Sequence, residues 1–173
     1  MKAIWKLIVT ASLLAMLAVP GFSATADEGQ IIQGSCLFLE EPDSPDIRAW
    51  YTGPDGTFYH QRNELQLMAC DFDDDRLDGE YLLTVSWDVI IDFSLYPYWI
   101  TGHDHGSLVV TDAAGNVTWE GRYNNFIDET SKVYGEMRMN GVGEYKNLQF
   151  YGTIFLDFAD PMTQGPFIEG VIH

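Results

Sequence analysis

LVVTDAAGNVTWEGRY, residues 108–123, and VYGEMRMNGVGEYKNLQFYG, residues 133–152, decide the fold. Apolar residues recur there at every second position, and Asp112–Gly115 and Gly141–Gly143 break the runs with turn residues. A period of two sends successive side chains to opposite faces of a strand, so the segment reads as a β-meander with one face turned to a core. No comparable stretch carries the 3.6-residue period of an amphipathic helix.

The same pattern extends in both directions. Glu80 to about Phe93 is a long strand with Tyr81, Leu83, Val85, Trp87, Val89 and Ile91 on one face and Thr84, Ser86, Asp88 and Asp92 on the other. Upstream, Arg48–Thr52 and Thr57–Gln61 flank Gly53-Pro54-Asp55-Gly56, whose proline and glycines suit a tight hairpin. Gln30–Leu39 and Leu65–Cys70 are further strands, each followed by an acidic loop. Tyr96-Pro97-Tyr98-Trp99 reads as an aromatic turn into the polar stretch Gly102–Gly106, and a strand resumes at Ser107. Leu148–Phe158 and Phe167–Ile172 complete about eight to ten short strands. An antiparallel sheet must hide its edges, so a single closed barrel of about eight strands is the expected all-β architecture; a two-sheet sandwich is the alternative.

Residues 1–26 read as a secretory signal. Lys2 and Lys6 precede the apolar run Leu7–Val19, and Ala24-Thr25-Ala26 has the small-x-small form of a cleavage site. The 13-residue run is shorter than the roughly 20 residues a spanning helix needs. Residues 27–173 then form one domain, exported to a periplasm or beyond the cell, with no membrane attachment after cleavage. Acidic side chains number 26 against nine Lys and Arg, two of which are Lys2 and Lys6. Such an excess makes nucleic acid an improbable partner. Cys36 and Cys70 are an even pair in an exported chain, expected as a disulfide, with two buried free thiols as the alternative.

Asn116-Val117-Thr118-Trp119-Glu120-Gly121 and Gly141-Val142-Gly143-Glu144-Tyr145-Lys146-Asn147-Leu148, with Asp74-Asp75-Arg76-Leu77-Asp78-Gly79 before the long strand, resemble motifs of small secreted bacterial proteins with an allene oxide cyclase or dirigent-like β-barrel. These are turn and packing motifs over roughly Cys70–Ile172. The resemblance implies a barrel that shapes a pocket around fatty-acid-derived or phenolic molecules, and carries over no catalytic residue.

Trp87, Tyr98, Trp99, Trp119 and Tyr123 are the candidate lining of an apolar ligand pocket, against the alternative that they fill the core. His103 and His105, whose i, i+2 spacing would put them on one side of a strand, are the candidate ligands for zinc or copper, against the alternative of a polar loop beside the aromatic turn. The carboxylates from Asp71 to Glu80 offer oxygens to Ca²⁺, although Arg76 occupies the place of the glycine an EF-hand needs. No catalytic constellation is present, so no cofactor is expected from the motifs and Ca²⁺ or Zn²⁺ is the alternative. The leading expectation is a secreted, non-enzymatic barrel binding a small apolar or aromatic ligand or a protein partner. An isomerase or cyclase-like barrel is the second, requiring a buried titratable group beside the aromatics. A metal-dependent surface protein is the third. Oligomeric state is not encoded in any of these motifs.

Overall fold

A computed structural model describes residues 29–39, 42–92, 94, 99–160 and 162–173. The signal expected at residues 1–26 lies outside them, as does Tyr98. Among the described residues there are nine strands: β1 (Ile31–Phe38), β2 (Arg48–Thr52), β3 (Phe58–Phe72), β4 (Gly79–Ile91), β5 (Trp99–Thr111), β6 (Val117–Ile127), β7 (Lys132–Gly141), β8 (Gln149–Asp157) and β9 (Phe167–Ile172). From β3 to β9 each strand pairs antiparallel with the next, β9 pairs with β1, and β1 closes on β3. The result is an eight-stranded antiparallel barrel with β2 as an additional strand. Among the described residues no helix is long and apolar enough to cross a membrane.

One edge of β3 serves two partners. Its Met68–Phe72 half pairs with β1, and its Phe58–Arg62 half pairs with β2. All five residues of β2 are exposed, so little apolar burial holds it. A row of outward side chains fastens it instead. Trp50 stacks on His60 at 5.2 Å, and His60 meets Thr52 at 2.8 Å and Asp88 at 2.6 Å. Arg62 Nη2 donates to both carboxylate oxygens of Asp88, at 2.8 and 3.0 Å. Burial pushes the Asp88 carboxyl up, but the hydrogen bonds from His60 and Arg62 outweigh it and keep the group below its ordinary range.

Two strands expected separately at 57–61 and 65–70 are one. β3 runs through both because a β-bulge absorbs the break: Gln61 pairs with Trp87 and Glu64 with Val85, so β3 spends one more residue than β4. Asn63 supplies the positive φ of 62°. The extra residue reverses the alternation, which leaves Gln61 on the inner side before the bulge and Met68, Cys70 and Phe72 on it afterwards. β5 likewise begins at Trp99 rather than Ser107, and Gly102–Gly106 are strand residues paired on both sides.

The interior is asymmetric along the barrel axis. At the end carrying the Asp74–Asp78 turn, Trp119, Tyr81, Phe150 and Leu77 are wholly buried. Trp119 stacks on Tyr145 at 5.7 Å and its indole N–H donates to the Arg76 carbonyl at 2.6 Å, while the Tyr81 hydroxyl donates to the Leu77 carbonyl at 2.7 Å. This end is a sealed floor. At the other end Val89, Ile127, Val133 and Leu156 form a separate small cluster, and between the two lies a cavity. Cys36 and Cys70, opposite each other in the β1–β3 register, are joined in a buried disulfide that bridges the closing seam.

Candidate functional site

Inner-row geometry decides what faces the cavity. Gln61, Trp87, Asp104, Asn125, Gly135, Ile154 and Ile168 are successive cross-strand neighbours around the barrel. Asp104 shares its strand face with Leu108 and Val110, both core residues, so strand alternation carries a carboxyl inward. Tyr123 and Asn125 share a face with Trp119 in the same way. Relative exposures of 6% for Asp104, 5% for Tyr123 and 8% for Asn125 place three polar side chains inside the barrel, beside the buried Gln61 of the same inner row.

The cavity, about 50 Å³, is lined by the polar side chains of Gln66, Asp104, Tyr123 and Asn125 together with apolar ones that include Met68, Met137 and Ile154. It reaches the mouth beside Phe38 and Pro166. At the volume a water probe needs, it has room for a few heavy atoms. Larger depressions exist on the outside, such as the groove of about 350 Å³ over Tyr151 and Arg138, but nothing polar is buried there.

Hydrogen bonding in the cavity is incomplete. The Asn125 side-chain amide donates to Asp104 Oδ2 at 3.0 Å. Its own Oδ1 has no partner, and neither has the Tyr123 hydroxyl, though both atoms are out of reach of solvent. A buried polar atom left so costs about 1–3 kcal/mol, which folding rarely tolerates without a use. Two glycines make room for these groups. A Cβ on Gly135 would stand 1.8 Å from Asn125 Oδ1, and one on Gly106 would stand 1.9 Å from the Thr84 carbonyl oxygen and 3.0 Å from the Tyr123 hydroxyl.

Burial pushes the Asp104 carboxyl up to about 6; the Asn125 hydrogen bond opposes this and the charge of Glu64 adds to it. Burial likewise raises the Tyr123 phenol, with Asp104 and Glu64 as the further causes. Glu64 is half-buried just after the bulge and accepts a hydrogen bond from the Trp87 indole N–H. An unfolded aspartate titrates near 3.9, so between about pH 4 and pH 6 the folded chain holds a proton that the unfolded chain has lost. Stability therefore falls as pH rises through that window, by about 2–3 kcal/mol from this group, and levels off above it. Asp104→Asn is expected to remove the slope and to be the more stable protein near pH 7.5, by about 2 kcal/mol, in denaturant titrations at both pH values.

The sequence-derived candidates separate. Tyr123 lines the cavity, and Trp87 stands at the boundary between the two interior clusters. Trp119 belongs to the floor, below the cavity, and Trp99 opens β5. His103 and His105 lie on the outer face, exposed, on either side of inward-facing Asp104, and His103 rests on the Phe126 ring at 5.3 Å. His60 pairs with Asp88, and among the described residues no three His, Cys, Asp or Glu side chains converge as a metal would require. The acidic loop uses its carboxylates internally: Asp74 holds Arg76, Asp78 accepts from the Phe72 backbone N–H at 2.8 Å, and Asp73 accepts from that of Gln33 at 2.9 Å. The parity of β5 was the available signal for Asp104, since the face that holds Leu108 and Val110 also holds it. Glu64 had none, because its orientation depends on the bulge. No protein-family model, curated protein or solved structure matches this chain.

Proposed function

We propose that the protein is an exported β-barrel that binds a small, largely apolar molecule in its mouth, seating the molecule's polar head among Asp104, Tyr123 and Asn125. The observation that carries this reading is the pair of buried, unpartnered polar atoms, Tyr123 Oη and Asn125 Oδ1, on two residues that line a largely apolar cavity. Ligand sites commonly combine apolar walls with a few convergent polar groups. The disulfide supports an oxidising compartment. The cavity is too small for a whole drug-sized ligand, so the apolar part lies at the rim against Phe38 and Pro166.

Titrating the protein with benzyl alcohol should shift the backbone amide NMR signals of Gly106, Tyr123, Asn125 and Gly135. Gly135→Ala, which drives a methyl group into the Asn125 amide, should abolish the shifts while costing about 1–3 kcal/mol of stability. If neither benzyl alcohol nor its amine counterpart perturbs these amides, the reading fails. A second reading, proton transfer to or from the bound molecule, is supported by an Asp104 carboxyl poised at about 6 beside Tyr123.

A further inference from the structure

We infer that Thr52, His60 and Asp88 form a nucleophile–base–carboxylate relay on the outer face of the barrel, where the protein hydrolyses small neutral esters with apolar or aromatic acyl groups. None of the three lines the cavity, so the inference goes beyond the mouth-binding reading and stands or falls without it.

Three adjacent strands bring the residues together. His60 is the register partner of Asp88 across β3 and β4 and of Trp50 across β2 and β3, and Thr52 follows Trp50 on the same strand face. Asp88 Oδ1 lies 2.6 Å from His60 Nδ1, and His60 Nε2 lies 2.8 Å from Thr52 Oγ1. An ionised carboxylate only accepts hydrogen bonds, so in the neutral imidazole the proton sits on Nδ1 and Nε2 keeps its lone pair. The Thr52 hydroxyl is then the donor to Nε2, which is how a general base meets the nucleophile it activates. Trp50 stacks on the imidazole at 5.2 Å and holds its plane. The carboxylate is fixed as well, because Arg62 Nη2 holds both its oxygens while Arg62 Nη1 donates to the Gln61 and Trp87 carbonyls at 2.7 and 2.8 Å. The stack and the ion pair suffice to fasten β2; the hydroxyl on the remaining imidazole nitrogen adds a reactive group.

Exposure is graded along the relay. Thr52 is exposed, whereas His60 and Asp88 are half-buried. β2 ends at Thr52 and Gly53 turns the chain at a φ of 81°, so the hydroxyl stands at the lip of the hairpin. Phe58 is the register partner of Thr52, and its ring and that of Trp50 are both exposed. Those rings give an apolar acyl group a surface to lie on. The excess of 26 acidic side chains over nine Lys and Arg disfavours an anionic substrate. In the reaction Oγ1 attacks the ester carbonyl carbon and passes its proton to Nε2. The bond from that carbon to the leaving oxygen breaks, the leaving oxygen takes the proton, and the acyl group remains on Oγ1. Water then attacks the same carbon and gives a proton to Nε2; the bond to Oγ1 breaks and Oγ1 recovers the proton. One ester and one water become one acid and one alcohol.

Hydrolysis of p-nitrophenyl acetate at neutral pH tests the relay. Release of p-nitrophenol is expected to be at least about a hundredfold faster with wild type than with Thr52→Val, which keeps the branched shape of threonine without its hydroxyl. His60→Gln should lose as much, and the double variant no more, since the two side chains act as one unit. Thr52→Ser should stay active. Asp88 acts through His60 as a positioning residue: Asp88→Asn should lower kcat with KM unchanged, while the backbone amide NMR signals of Trp50 and Tyr51 show β2 still paired. Acid quenching followed by peptide mass mapping should place an acetyl group on Thr52 of the wild type, a result that no loss of folding in a variant can imitate. Equal rates for wild type and Thr52→Val overturn the inference. Activity that survives in Thr52→Val and is lost in His60→Gln also overturns it, because the imidazole is then the nucleophile. Acetyl found only on lysine or histidine side chains does the same.

Discussion

Trp119→Ala should cost about 3–5 kcal/mol, the largest single-residue loss in the molecule. The indole is wholly buried and is the largest side chain in the floor. Truncation removes its stacking on Tyr145 and opens a void bounded by strands that cannot collapse, because each is tied on both sides into a closed ladder. It also leaves the Arg76 carbonyl without the N–H that serves it. Trp119→Phe tests the two parts separately: it keeps much of the packing, loses the hydrogen bond, and is expected to fall between wild type and the alanine variant. Urea unfolding followed by far-ultraviolet circular dichroism measures both. A loss under about 1 kcal/mol for the alanine variant would show that this ring does not seal the barrel.

Replacing both cysteines, Cys36→Ser with Cys70→Ser, is expected to lower stability by about 4 kcal/mol in the chain-entropy view, for a cross-link between residues 34 apart. Its location adds to the consequence. β1 meets β3 over five register pairs, whereas β3 meets β4 over eleven, so the bridge sits on a short seam whose opening would turn the barrel into a sheet with two free edges. Reduction of the wild-type protein should reproduce the double variant's unfolding midpoint, and the variant should gain nothing from an oxidant. Equal midpoints for oxidised and reduced protein would mean that the seam is held by its ladder alone.

The all-β class, the barrel and the disulfide follow from features written locally in the chain. Alternation in residues 80–93, 108–123 and 133–152 fixes which residues face inward, and Tyr81, Val85, Trp119 and Phe150 are buried accordingly. Loop chemistry was legible too: Asp112 caps its own turn, accepting from the Ala114 and Asn116 backbone N–H groups at 2.9 and 2.8 Å. The site was harder to read, for two physical reasons. Gly102–Gly106 looks like a loop because its glycines and histidines lack β-propensity, yet it is paired on both sides, and that pairing is what turns Asp104 inward and the two histidines outward. The bulge at Asn63 reverses the facing of β3, and its effect on Glu64 appears only when β3 is laid against β4. For Trp119 pocket lining and core filling both stay open in the sequence, because an aromatic on an inward face has the same signature whether it closes an end or borders a void. Tertiary position alone separates the two.

The uneven division of the interior has a bearing on entry and exit. Among the described residues eighteen buried side chains form one continuous mass that includes the floor, whereas four make up the separate cluster near the mouth. Amide hydrogen exchange should be graded accordingly, slowest around Trp119 and Phe150 and quickest near Ile127 and Val133. On the proposed mouth-binding reading, a guest passes the rim through brief local breathing while the opposite pole keeps the chain folded.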